Sequence, residues 1–219
     1  MSKRASELIA ESLRRMVITE ELTAGSIVSE AHLAEILGCT RTPLRRALDQ
    51  LSHHYLVDVP PRRGVRIPEL SVVDYRQLSE AQLWVGIDLV HLATERIQDP
   101  QLDRLRQTVR QQEECSKGGD FYELTNLDGE FHTLIVEATG NRYFSGFSRQ
   151  LQSSLARFLY RAYKATGGAS LSIEEHYQIV EALERRDPEL ARSRIRQHVT
   201  EALKRVLNII ALGDHSHAA

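Results

Sequence analysis

Apolar residues recur along this chain at helical spacing and are interrupted by short polar or glycine-containing breaks, so the pattern predicts a mainly α protein. Leu8, Ile9, Leu13 and Met16 form one stripe of a first helix over about 2–19. Ala31, Leu33, Ala34 and Leu37 line one face of a second helix, which Gly38 ends. Thr40 or Thr42 can cap a third, with Pro43 tolerated in its first turn and Leu44, Ala47, Leu48 and Leu51 turned inward. The runs 56–59 and 65–67 flank Pro60-Pro61-Arg62-Arg63-Gly64 and predict two short strands around a basic turn.

A boundary is expected at Pro68-Glu69-Leu70, and beyond it the spacing predicts six helices. Ser71 with Asp74 opens the first, which runs to about Ile97, and Asp99-Pro100 starts the second, which ends before Ser116. Asp120 with Glu123 opens the third, closed by Gly140, and Asn141 starts the fourth, which reaches Thr166. Ser172 with Glu175 opens the fifth, and Asp187-Pro188 the sixth, to Gly213. Six helices with short loops predict an antiparallel bundle. The expected organisation is a winged helix-turn-helix over 1–68, an all-α domain over 69–213, and a disordered tail over 214–219.

The outward face of the third helix carries Thr40, Arg41, Thr42, Arg45 and Arg46, hydroxyls and forked guanidiniums suited to phosphates and guanine edges. A helix-turn-helix trailed by a basic hairpin is a winged helix, in which Arg63 and Gly64 would enter or skirt the minor groove. The charge supports this. The whole chain is net −2, which argues against a protein that coats nucleic acid indiscriminately. Residues 1–68 nevertheless hold 10 Lys+Arg against 8 Asp+Glu (net +2), while 69–219 hold 18 against 22 (net −4). Between Arg41 and Arg66 stand six arginines against Asp49 and Asp58, so the positive field concentrates on the expected DNA-binding elements.

The stretch from Leu22 to Leu51 resembles the start of a GntR-family transcriptional regulator. Ala24-Gly25, Val28, Glu30, Leu33-Ala34-Glu35, Leu37-Gly38, Arg41-Thr42-Pro43-Leu44-Arg45, Ala47-Leu48 and Leu51 meet the family pattern, and Arg63-Gly64 meets it in the wing. The chain departs from it at Arg46, where the family has glutamate, and at His53-His54-Tyr55, where an acidic residue and glycine precede the wing. Arg46 adds a candidate phosphate contact. The resemblance implies a homodimer on inverted half-sites of double-stranded DNA. No apolar run approaches a membrane span and the N-terminus has no signal-peptide core, so a cytoplasmic protein without membrane contact is expected. Cys39 and Cys115 make no paired motif and are expected as free thiols.

The chemistry of the bundle lies in polar residues on apolar faces. Asp128 and His132 lie on or beside the stripe of Leu124, Phe131 and Ile135. His176 shares a face with Ile179, Val180 and Leu183, and His198 shares one with Ile195 and Ala202. Buried without partners, such groups cost several kcal/mol, roughly, so each needs one. Separate core hydrogen bonds or a single divalent metal would serve. Three imidazoles and a carboxylate suit zinc, nickel, cobalt, manganese or iron and leave room for water or a ligand carboxylate.

Here a second resemblance arises, to the FCD effector domain of the FadR subfamily. It is carried by Asp128-Gly129-Glu130-Phe131-His132, Thr139-Gly140-Asn141, Glu175-His176 and Arg194-Ile195-Arg196-Gln197-His198. The resemblance implies that Asp128, His132, His176 and His198 ligate a divalent metal ion and that an organic-acid effector binds beside it. Six rather than seven helices resemble the VanR-like branch. Many FCD domains carry an arginine followed by leucine and glutamate in the first bundle helix, where this chain has Ala81-Gln82-Leu83-Trp84. A carboxylate effector then needs another cation, for which Arg157 and Arg161 are candidates, with Trp84 and Tyr160 as pocket walls. The expected function is a repressor, not an enzyme. The rival readings are a metal-dependent enzyme, which lacks an evident general base, and a metal sensor.

Overall fold

The computed structural model describes residues 2–61 and 63–214. Arg62 of the basic turn and residues 215–219 of the expected tail lie outside the described residues. The chain divides into two compact units, Met1–Leu70 and Ser71–Ala219.

In the first unit, α1 (Ser2–Ile18), α2 (Glu30–Ile36) and α3 (Arg41–His53) enclose a core of Leu13, Val17, Leu33, Leu44, Leu48 and Leu51. The stripe of α1 is rotated from the expected one. Ala10, Leu13 and Val17 face inward and Leu8 is 65% exposed, because the i, i+3, i+7 series is the one that meets α3. Ser29 caps α2 by accepting from the His32 amide at 3.1 Å. Thr40 occupies the N-cap of α3 with no side-chain bond, so its hydroxyl is unused by the helix.

The wing differs from a simple hairpin. β2 (Val65–Arg66) pairs antiparallel with β1 (Ile27–Val28), a strand the sequence pattern did not announce, while 56–59 contributes only the bridge between Asp58 and Arg66. Arg66 also donates from Nε to Asp58 Oδ2 at 3.0 Å. Gly64 sits at φ 81°, and a Cβ there would stand 2.8 Å from the Val28 carbonyl. Its role on this geometry is close backbone approach at the base of the wing. Gly64→Ala is therefore expected to destabilise the first unit by about 1–3 kcal/mol, read as a lower unfolding midpoint in urea.

The second unit holds six helices: α4 (Val72–Arg96), α5 (Asp99–Gly118), α6 (Phe121–Glu137), α7 (Arg142–Thr166), α8 (Ser170–Glu184) and α9 (Pro188–Asp214). Ser71, Asp120 and Asn141 cap α4, α6 and α7 through their side chains, as the spacing predicts. The cap expected at Ser172 is not one. α8 begins two residues earlier, and the Ser172 hydroxyl instead accepts from Arg205 at 3.2 Å. α4 runs along α9, and α6 lies against both α5 and α7. Gly129 lets α6 approach α7 closely, since a Cβ there would lie 3.3 Å from that of Gln152. Phe131, Leu105, Leu124, Ile179 and Leu183 fill the centre, with α6, α8 and α9 each turning one histidine into it.

Candidate functional site

His132 on α6, His176 on α8 and His198 on α9 are buried, and their Nε2 atoms converge. His198 Nε2 lies 3.2 Å from His132 Nε2 and 3.4 Å from His176 Nε2. Asp128, one turn before His132, presents Oδ1 at 3.8 Å from His176 Nε2 and Oδ2 at 4.0 Å from His132 Nε2. These last separations are too long for direct hydrogen bonds.

The outer nitrogens decide what the inner ones can do. The Gln112 amide nitrogen donates to the Leu127 carbonyl at 2.9 Å, which leaves Oε1 facing His176 Nδ1 at 2.7 Å. That oxygen only accepts, so Nδ1 carries the proton and Nε2 of the neutral ring presents a lone pair. Glu175 does the same for His198, accepting from Nδ1 at 2.8 Å, and is held in turn by two 2.7 Å bonds from Arg205. With His198 in its neutral form, two lone pairs face each other 3.4 Å apart with no proton between them. A cation satisfies both. Metal–nitrogen bonds of about 2.0–2.1 Å put neighbouring ligand atoms roughly 3.0–3.4 Å apart, which matches the two imidazole spacings, while the Asp128 oxygens stand somewhat farther off.

Burial sets the charge state. It holds His132 and His176 well below the ordinary histidine value, and the neighbouring His198 adds to the effect in both. Burial raises Asp128, opposed by His198 and by the Tyr163 hydroxyl, which donates to Oδ1 at 2.8 Å. Burial also pushes Glu175 upward, but its bonds from His198 and Arg205 outweigh this and leave it low.

A pH dependence follows. Below the ordinary histidine value of 6.5, the unfolded chain takes up protons that the folded His132 and His176 refuse. Metal-free protein therefore has its full stability above that value and loses it as pH falls, by up to about 1.4 kcal/mol per pH unit for each ring. Asp128, raised from 3.8, works in the opposite sense and only as its own carboxyl protonates. Thermal melts in chelator at pH 7.5 and 5.5 check this, with the lower melting temperature expected at pH 5.5.

The space beside this centre is small. A cavity of about 20 Å³ touches Asp128, His132 and His198 and is walled by Tyr75, Ser79 and Gln82. It has room for about one water. The expected effector residues are placed elsewhere. Trp84 is 66% exposed, because the inward positions of α4 are Leu83, Ile87 and Val90, and it lines none of the described cavities. Arg157 is 3% exposed and Arg161 half-buried, and neither lines the described cavities of the bundle. Tyr160 is half-buried under Lys164, and Tyr163, three residues on, reaches the centre instead. Gln112 and Arg205 were not singled out in the sequence, although Gln112 continues the inward series Leu105, Thr108 and Val109 at helical spacing.

On the first unit, Arg41, Thr42, Arg45 and Arg46 stand exposed on α3. Glu30 of α2 accepts from Arg45 Nε at 2.9 Å, a bond that also raises the arginine's pKa. Arg63 is exposed at the wing.

A winged helix followed by a six-helix bundle with a buried histidine cluster defines a class of bacterial DNA-binding regulators. Residues 5–67 match the gntR family of bacterial regulatory proteins and residues 77–201 match the FCD domain. The chain belongs to the GntR family of transcriptional regulators with an FCD domain, the FadR subfamily. It is 24% identical over 207 residues to the HTH-type transcriptional repressor RspR of Escherichia coli K12, covering 93% of this chain and 90% of that one. It is 27% identical over 222 residues to the repressor NanR of Cronobacter sakazakii, covering 90% and 83%. The fold matches that of E. coli McbR/YncC with a TM-score of 0.80 at 21% identity, over 93% of this chain and 97% of that one. These homologues are regulators and not enzymes. No helix among the described residues is long and apolar enough to cross a membrane.

Proposed function

We propose that this regulator is a cytoplasmic repressor that binds inverted half-sites as a homodimer and is controlled by an organic acid through a divalent metal ion. His132, His176 and His198 hold the ion through Nε2, and Asp128 supplies the fourth ligand. The observation that carries this reading is the inward convergence of lone pairs whose opposite nitrogens are fixed by Gln112 and Glu175. The ion itself supplies Lewis acidity and an anchor for a carboxylate. The protein's residues set the tautomers, exclude bulk water and place Tyr163 on Asp128. Thr40, Arg41, Thr42, Arg45 and Arg46 contact operator, with Arg63 and Gly64 at the minor groove. Ligand at the centre favours one separation of the two winged helices and so shifts operator affinity. The names of RspR and NanR support repression over activation. The resemblance to the VanR-like branch rests on the six helices alone.

The test is operator binding by fluorescence anisotropy, on DNA recovered by selection from a random pool. Protein loaded with zinc or nickel is expected to differ from chelated protein by about fivefold or more, and organic acids to change the affinity of the loaded form only. Affinity indifferent to both metal and acid would sink the linkage. Affinity that tracks the identity of the metal with no acid present would instead favour metal sensing.

A further inference from the structure

The largest cavity described in the bundle is not the one at the metal centre. A pocket of about 190 Å³ opens between the end of α7, the start of α8 and the second half of α9. It shares Leu159, Tyr163, Ser172 and Ala202 with the water-sized cavity inside, so these side chains are the partition between the two. Its remaining walls are chiefly apolar, among them Ala162, Leu171, Val206 and Ile209. Arg205 is its one charged lining residue.

Arg205 uses three of its five N–H groups, two on Glu175 and one on Ser172. Nε–H and one Nη1–H remain for another acceptor, on a side chain 27% exposed. α8 also starts here, with Ala169 at its N-cap and no side-chain cap, which leaves first-turn amides at the rim. An apolar cavity of about 150 Å³ takes up benzene, so this one holds a body of that size with one small polar group. Arg205 is already paired with Glu175, but its two remaining N–H groups are the charged donors of a chamber otherwise lined by apolar and hydroxyl side chains, and they suit the oxygens of one carboxylate.

We propose that this outer chamber is a binding site for a compact monocarboxylate with an apolar body of about ring size, held by Arg205 and linked energetically to the metal centre. The linkage rests on the metal reading above and runs through one chain of bonds: Arg205 to Glu175, Glu175 to His198 Nδ1. A carboxylate on Arg205 shares its positive charge and leaves Glu175 more fully anionic towards His198. That makes Nε2 a stronger donor to a metal, and by reciprocity the metal tightens the carboxylate. The chamber thereby offers an acid a route to act on a centre whose own cavity admits only water.

The probe is cyclohexanecarboxylate, titrated calorimetrically into full-length protein with and without zinc, beside acetate and the neutral cyclohexanecarboxamide. The parent is expected to bind the ring acid, the amide about tenfold more weakly, and acetate not in the chamber. Zinc is expected to tighten the ring acid by about fivefold or more. Ile209→Trp fills the chamber away from the metal ligands, and should abolish ring-acid binding while keeping the helical circular dichroism and zinc binding of the parent. Arg205→Gln should bind acid and amide alike. Equal binding of acid and amide to the parent, or undiminished binding to Ile209→Trp, overturns the site. Unchanged acid affinity in bound zinc overturns the linkage. Failure of zinc to bind at all defeats the metal reading, while the zinc-free titration still decides the chamber.

Discussion

His176→Ala is expected to bind a divalent metal ion far more weakly than the parent. The ring supplies one of three converging Nε2 atoms, and its other nitrogen is held by Gln112, which is fully buried. Binding energies of about 10–16 kcal/mol for a four-ligand zinc site put one ligand at roughly 3 kcal/mol, or about two orders of magnitude in affinity. The same change leaves a cavity and an unsatisfied Gln112 oxygen, so metal-free stability should also fall by about 2–4 kcal/mol. Metal per chain after dialysis separates the two effects when Glu175→Gln is measured beside it. Glu175 meets the cluster only at the outer nitrogen of His198, so its replacement should weaken metal by about ten- to a hundredfold without emptying the core. A parent that takes up no ion even after reloading, with both variants losing only stability, would return the three imidazoles to the role of core hydrogen-bonders.

The sequence carried the helices of the bundle more fully than the wing or the pocket, for physical reasons. Helix starts are local chemistry: Ser71, Asp120 and Asn141 each bond amides two or three residues away, so they can be read from neighbours in the chain. β1 is two residues long and becomes a strand only because 65–66 returns to it, which no local pattern encodes. Tyr55 illustrates the same limit. It takes φ 57° where the GntR pattern has glycine, and the demand for a left-handed residue comes from the turn into the wing. The histidines were legible because a charged or polar residue on an apolar stripe needs a partner wherever it is. Their supporting groups were not, since Gln112 and Arg205 meet His176 and Glu175 across 64 and 30 residues. Trp84 misled for a related reason. Aromatic character says that a residue can wall a pocket, whereas its helical phase decides whether it does, and α4 turns Trp84 outward.

Arg41→Ala and Arg45→Ala are each expected to weaken operator binding by about ten- to a hundredfold, the loss of one good base or phosphate contact of about 1–3 kcal/mol. The two should fail differently. Arg45 is oriented by Glu30 at 2.9 Å, a pre-set direction that suits a guanine edge, so its loss should relax sequence preference and Arg45→Lys should not restore it. Arg41 begins α3 beside the unused Thr40 hydroxyl, a place suited to phosphate. Its removal should weaken all sequences about equally and reduce the salt slope by about one. Glu30→Gln makes the distinction sharper, because it leaves every arginine in place and removes only the carboxylate that aims Arg45. Selectivity that falls with Glu30→Gln while non-specific affinity holds or rises would assign base reading to Arg45. If neither arginine variant changes operator affinity at any salt concentration, α3 is not the recognition helix, and the basic turn around Arg63 would have to carry the DNA contact on its own.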